Sequence, residues 1–425
     1  MLPRSCRGGR IVRGRPSCRY PEQVDASDAG LVLIPLLAVA APLLARGVRP
    51  ALRVPIIVFE LLLGVLVGPA LLGWVQESVV LEKLSDFGLA MLFFMAGMEI
   101  DFRAIAGKPL VRASLGWVLS LLLGIGIGFL LAPNESVVVI GIALSSTALG
   151  TLMPILRDAR ELGTPLGNVI TAIGSVGEFL PLIAISIFLS TRRAPVAAAI
   201  LLAFVLLAVI VIVVARRASH GALHAFVRST LHTSAQFGVR FVLLLIAALV
   251  GLSVVLDLDM LLGAFVAGAV WRIIMVRAPK SDAAAIESKI EAIAYGFLVP
   301  IFFLYTGVTF DLASLTATPA TIALVPLFLV ALLLIRGLAA QLSAPKQTST
   351  RDRTAMAMLA ATGLPIIVAV TAIGVDEKVL EPAIAAALVG AGMLSVLIYP
   401  LIAMTLRGDR ERVAAVERDL PQGEL

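Results

Sequence analysis

From Leu31 to Leu406 the chain is a succession of thirteen apolar runs, most of them close to the length that spans a bilayer as a helix. They lie near 31–45, 54–74, 84–98, 113–132, 137–156, 166–189, 195–215, 241–256, 258–271, 292–309, 319–342, 354–375 and 379–406, and the boundary at Asp257 to Asp259 is the weakest. With 60% hydrophobic and 15% charged residues, such a chain has no route to an ordinary soluble core. In lipid every backbone N–H and C=O must be satisfied internally, so the runs are expected to be helices. The fold class expected is an all-α polytopic membrane protein with about thirteen transmembrane helices.

Lys and Arg are kept in cytoplasmic loops and lost from short external ones. The odd-numbered connections and the C-terminal tail hold 23 of the 34 basic residues, whereas the even-numbered connections hold only Lys83, Arg192, Arg193 and Lys378. This alternation predicts an external N-terminus, a cytoplasmic C-terminus and a tail over 407–425. One basic residue, Arg336, falls inside the eleventh run.

Residues 1–30 form an N-terminal tail that argues the other way, with Arg4, Arg7, Arg10, Arg13, Arg15 and Arg19 ahead of the first run. They are expected to be an over-extended start, with Val24 as the beginning. Both cysteines, Cys6 and Cys18, lie there, so cysteine spacing carries no functional message. The net charge of +6 reflects loops facing anionic lipid and does not indicate nucleic acid as a partner. Only 6 of the 34 basic residues are Lys, a bias of GC-rich bacterial genomes, so the expected location is a bacterial inner membrane.

Glu178 stands in the middle of the sixth run, LGNVITAIGSVGEFLPLIAISIFLS. A carboxylate at membrane depth costs several kcal/mol unless it is protonated, paired or wetted, and chains that keep one there use it to move protons or ions. The alternative is a packing carboxylate held by a partner. Ser175 and Thr171 lie one and two turns before it on the same face. Glu60 is about 9 Å into the second run at ~1.5 Å per residue, and is expected to reach cytoplasmic water. Asp86 and Glu99 are expected to face solvent at helix ends. His220, His224 and His232 share the long loop before the eighth run. A solvated loop explains them better than a pH sensor, and their spacing makes no metal site.

An internal repeat organises these runs. Leu62, Leu63, Gly64 and Gly68 are echoed by Leu261, Leu262, Gly263 and Gly268. Gly88, Phe93, Phe94, Gly97 and Asp101 are echoed by Gly296, Phe302, Phe303, Gly307 and Asp311. Matched runs are seven apart, an odd number, so the copies cross the membrane in opposite directions. The expectation is two inverted six-helix repeats, 31–190 and 241–406, joined by a linker helix at 195–215.

The fifth and twelfth runs then correspond, and helix breakers interrupt both. The fifth, IGIALSSTALGTLMPIL, carries Ser145, Ser146, Thr147, Gly150 and Pro154; the twelfth, MLAATGLPIIVAVTAIG, carries Thr362, Gly363 and Pro365. Paired interruptions in inverted halves point to a transporter's binding site, because unwound backbone frees carbonyls and half-helix ends supply partial charges. The candidate proton- and cation-binding residues are therefore Glu178, Ser175, Ser146, Thr147 and Thr362.

FELLLGVLVGPALLGW, FGLAMLFFMAGMEIDF, GFLVPIFFLYTGVTFDL and the two broken helices resemble the monovalent cation:proton antiporter-2 family, which includes bacterial sodium/proton exchangers and the membrane part of Kef-type antiporters. The resemblance covers 31–406. It implies a homodimer in which a core with crossed broken helices moves like an elevator against a dimerisation domain.

The departures from the family define the mechanism expected. Where relatives carry two aspartates, or Asn-Asp or Gln-Asp, this chain has Gly177 and Glu178. Arg336 matches the family's basic position on the eleventh helix and stays protonated, which makes it the charge-compensating group. No Gly-rich dinucleotide fingerprint occurs, and only 18 residues follow Arg407. Secondary exchange of sodium, or else potassium, for protons is expected, electroneutral and without cofactor or enzymatic chemistry. An ion-coupled symporter of an organic solute on a related fold, or a channel or sensor, is the alternative.

Overall fold

The computed structural model describes residues 26–48, 55–100, 105–132, 134–158, 161, 164–189, 193–217, 236–275, 280–345 and 348–419. The arginine-rich start, both cysteines, Val24 and the three histidines lie outside the described residues. Each of the thirteen apolar runs contains helix, though the second, fifth and twelfth are not helical throughout. The first half comprises α1 (Ala26–Val48), α2 (Ile56–Val67), α3 (Val79–Glu99), α4 (Lys108–Leu131), α5 (Ser136–Ser145), α6 (Leu149–Asp158) and α7 (Pro165–Phe188). After α8 (Ala194–Arg217) come α9 (Phe237–Val255), α10 (Met260–Met275), α11 (Lys280–Ile293) and α12 (Val299–Val308). They are followed by α13 (Pro319–Leu332), α14 (Thr350–Ala360), α15 (Pro365–Asp376) and α16 (Pro382–Asp419). Among the described residues, ten segments are long and apolar enough to cross a membrane, two of them being the broken pairs α5/α6 and α14/α15. The apolar helices α2 and α10 are shorter, and α3 carries four charged residues among its 21.

Local chemistry sets the boundaries. Ser78, Thr164 and Ser349 each accept a backbone N–H in the first turn of α3, α7 and α14, and Pro165 and Pro319 open α7 and α13 at positions that need no donor. The weak boundary near Asp257 is real: Asp257 adopts φ 61°, Leu258 N–H donates to Ser253 O at 2.8 Å, and Asp259 accepts from Leu261 N at 2.8 Å to start α10. Two runs are corrected. The second is helical only to Val67, because Gly68 and Pro69 divert the chain into turns closed by Leu72 N–H to Leu66 O and Gly73 at φ 64°. The tenth is the end of a longer helical segment that begins at Lys280 and passes through a π turn at Ala294–Leu298.

The repeated glycines mark the closest helix crossings. A Cβ on Gly97 of α3 would overlap Phe265 O of α10, and one on Gly268 of α10 would overlap Phe94 O of α3. Likewise, a Cβ on Gly64 of α2 would overlap Leu304 O of α12, and one on Gly307 of α12 would overlap Leu61 O of α2. The two crossings correspond in the expected repeat, α3 with α10 matching α12 with α2; Gly97 and Gly307 correspond directly, whereas Gly64 and Gly268 do not, and both crossings depend on backbones approaching where only glycine fits. Outward faces of α1, α4, α8 and α9 present Val32, Leu36, Leu115, Leu122, Leu202, Leu206 and Leu244. In a multi-pass membrane protein such apolar outward faces meet lipid or another chain. The segments α5 to α7, α14 and α15 are largely enclosed by the others, and the polar site lies among them.

Candidate functional site

Both interrupted helices are broken where Gly, Ser and Thr accumulate. The first break, Ser146 to Ala148, separates α5 from α6; the second, Thr362 to Leu364, separates α14 from α15. They cross in contact: a Cβ on Gly363 would lie 2.9 Å from Ser146 Oγ and 3.0 Å from Ser146 O, so glycine is what lets one break rest on the other. Ala148 N–H donates to Thr362 O at 2.7 Å, a backbone bond between the two. Thr147 N–H donates to Gly177 O at 2.9 Å, which ties the first break to α7.

Glu178 is fully buried against this crossing. Its Oε2 accepts the backbone N–H of Leu149 at 3.1 Å, in the first turn of α6, where helix donors lack intrahelical partners and an anion is favoured. Its Oε1 is also buried and has no hydrogen-bond partner among the described residues. Phe179, the next residue, stacks on Phe265 of α10 at 5.2 Å between ring centroids.

The other sequence candidates gather here, with different roles open to them. Ser175, Ser146 and Thr362 turn their hydroxyls onto their own helices, donating to Thr171 O at 2.8 Å, Ala143 O at 2.8 Å and Met358 O at 3.2 Å. Their hydroxyl oxygens keep lone pairs for a ligand. Thr147 Oγ1 donates to Ala360 O at 2.6 Å and accepts from Arg336 Nε at 2.7 Å. Arg336 is fully buried within a π turn, Leu333–Gly337, and its Nη2 donates to Ile173 O at 2.7 Å. Its bonds go to neutral oxygens rather than to the Glu178 carboxylate, so any compensation of that charge acts without direct contact. Gly150 faces Leu92 of α3, Pro154 lies within α6, and Pro365 opens α15.

Two of the three remaining acids sit where the sequence does not place them. Glu60 is 5% exposed, because the face of α2 holding Val58, Glu60, Leu61 and Gly64 turns toward the protein; rotation about the helix axis, not depth, decides its contact with water. Glu99 is half-buried with Oε2 enclosed, and lies near enough to Glu178 for their charges to interact. Asp86 is exposed as expected and pairs with Lys83 at 3.0 Å. The Leu149 N–H and the carbonyls of Ile173 and Ala360 had no sequence signal, since any residue supplies a backbone group.

A multi-pass helical membrane protein with two crossed chain breaks and a buried carboxylate at the end of a half-helix has the organisation of an ion-coupled carrier. The family model for sodium/hydrogen exchanger transmembrane regions matches residues 36–406, and the chain belongs to that family. A putative Na(+)/H(+) antiporter, YjbQ of Bacillus subtilis, is 27% identical over 396 residues, covering 88% of this chain and 62% of the relative. Cation/H(+) antiporter 19 of Arabidopsis thaliana is 27% identical over 67% of this chain, which spans 38% of it. The Na(+)/H(+) antiporter of Enterococcus hirae is 25% identical, with 86% of this chain and 95% of the relative covered. The fold matches the solved sodium proton antiporter MjNhaP1 from Methanocaldococcus jannaschii at a TM-score of 0.63, with 16% identity, 92% of this chain and 99% of that chain covered.

Proposed function

We propose that this chain exchanges a monovalent cation for a proton across the membrane, with Glu178 as the single carboxylate that binds either. Sodium is the first candidate, in keeping with the names of the relatives, and potassium the second. The observation that carries the reading is Glu178 Oε1, buried on a carboxylate held at the start of α6, next to the first break, without a hydrogen-bond partner among the described residues. An enclosed carboxylate oxygen in that situation needs a proton or a cation. Oxygens of Ser146, Thr147, Ser175 and Thr362 are the candidates to complete a partly dehydrated ion's shell.

Coupling follows from competition: one carboxylate holds one ligand, and the core moves only when loaded. In this reading the core is carried by the broken helices and moves like an elevator within a homodimer. The halves 31–190 and 241–406, with the linker at 195–215, form inverted repeats, a view supported by the crosswise glycine contacts. The N-terminus faces outward, the C-terminus faces the cytoplasm, and the membrane is a bacterial inner one.

The test is proton movement in proteoliposomes containing the purified full chain and a pH-sensitive dye. Sodium, or failing that potassium, added outside is expected to drive protons in the opposite direction. No proton movement with either ion, together with uptake of an organic solute on a sodium gradient, would replace exchange by symport.

A further inference from the structure

Position 177, immediately before Glu178, has no side chain, and its missing volume is filled from elsewhere. A Cβ there would overlap Nη2 of Arg336 and lie 2.7 Å from both Cβ and Oγ1 of Thr147. The guanidinium runs through that space to reach its acceptors: Nη2 to Ile173 O on α7 at 2.7 Å and Nε to Thr147 Oγ1 in the first break at 2.7 Å. Thr147 passes the connection on to Ala360 O at the end of α14, at 2.6 Å. Its own N–H returns to Gly177 O at 2.9 Å. One buried side chain thus ties the π turn after α13 to α7, to the first break and to the lead-in of the second.

We propose that Gly177 and Arg336 act as one positioning pair, in which the bare position 177 is the socket for the guanidinium. The locked guanidinium holds the two breaks around Glu178. A planar fork with donors on separate nitrogens can serve two acceptors at fixed spacing, which a single ammonium does not. Asn, Gln or Asp at 177 would need the volume that Arg336 now fills, so in this chain a side chain there requires the guanidinium to move. Arg336 is in this sense a positioning residue. Its consequence for transport rests on the exchange reading above; the socket itself does not.

A double-mutant cycle on the full chain tests the pair, using Gly177→Ala, Arg336→Ala and both together. Melting temperature in detergent is one readout, and apparent sodium affinity against maximal rate in proteoliposomes is the other. Gly177→Ala is expected to lower the melting temperature and weaken apparent sodium affinity about tenfold more than it lowers the maximal rate, and to have a clearly smaller effect in the Arg336→Ala background, where only the crowding against Thr147 remains, since coupled neighbours are non-additive. Crowding against Thr147 is the same in both backgrounds and drops out of the comparison. If Gly177→Ala does not fold alone, recovery of folded protein in the double variant supports the socket and equal failure in both overturns it. Wild-type behaviour of Gly177→Ala, or an equal effect in the two backgrounds, also overturns it. Absence of sodium-driven proton movement in the wild type would remove the exchange reading while the melting cycle still decides the pair.

Discussion

Glu178 and Leu149 are joined by a bond from the Leu149 backbone N–H to Glu178 Oε2 at 3.1 Å, and this bond sets the direction of the whole carboxylate. One oxygen is held by the start of α6, and the other is buried without a hydrogen-bond partner among the described residues. A half-helix end fixes the carboxylate without neutralising it, and the exchange proposed above loads its second oxygen.

Glu178→Gln keeps the volume of the side chain and removes its titrating group. Sodium-driven proton movement is expected to fall to the background of empty liposomes, while membrane insertion and detergent melting stay close to wild type. Retention of full exchange by this variant would end the single-carboxylate mechanism.

The Thr147 hydroxyl accepts from one buried group and donates to another, so its loss leaves both Arg336 Nε and Ala360 O short of a partner. Thr147→Val should cost about 1–3 kcal/mol in stability, and Thr147→Ser much less, because it keeps the hydroxyl. Melting temperatures of the two variants compare them directly; equal values would mean that the hydroxyl bridge contributes nothing.

Sequence made the site legible where a residue contradicts its surroundings. Glu178 is a charge in an apolar run, and Gly150, Pro154, Gly363 and Pro365 are breakers in helices, so each announces itself without tertiary information. Side-chain direction does not: Arg336 reaches Thr147 across 189 residues of sequence, and nothing local tells whether it ends on a carboxylate or on neutral oxygens. Apolarity also hid Gly68-Pro69, where the second run stops being a helix while staying hydrophobic. Glu60 and Glu99 were misplaced because burial depends on which neighbours a helix face meets.

The matched glycines offer a stability test of the repeat. Gly97→Ala places a methyl onto Phe265 O, and Gly307→Ala places one onto Leu61 O, so each forces a pair of helices apart. Overpacking of this kind costs about 1–3 kcal/mol. Equivalent crossings should lose similar amounts, as read by denaturation in detergent. A large loss at one and none at the other would speak against their equivalence.

Asp259 lies in the connection outside the spans of α9 and α10, and burial raises its carboxyl from the ordinary 3.8 to about 6, against backbone bonds from Leu261 and Leu262 that pull it down. The folded state therefore holds this proton more tightly than the unfolded chain. Its contribution to stability is complete below 3.8 and is lost as pH rises through about 6. Asp259→Asn keeps an acceptor for the first turn of α10 and never ionises. Its melting temperature is expected to lack that decline, so wild type and variant should diverge with rising pH across this window; parallel curves would refute the assignment.

Exchange is expected to be electroneutral, one cation for one proton. Moving a net charge couples transport to membrane potential by about 2.3 kcal/mol per 100 mV, so stoichiometry shows directly in voltage dependence. Gly177 supplies no second acid, and Arg336 is a constant charge bound to Thr147 and Ile173 O. The site then alternates between Glu178 carrying a proton and Glu178 carrying a cation, and the two loaded forms bear the same charge. Sodium-driven proton movement in proteoliposomes should proceed at one rate whether or not a potassium-valinomycin potential is imposed. Clear acceleration by a potential of either sign would bring a second titrating group into the cycle. Glu60, enclosed in α2 at 5% exposure, is then the first residue to convert to Gln, and restored voltage independence in that variant would identify it.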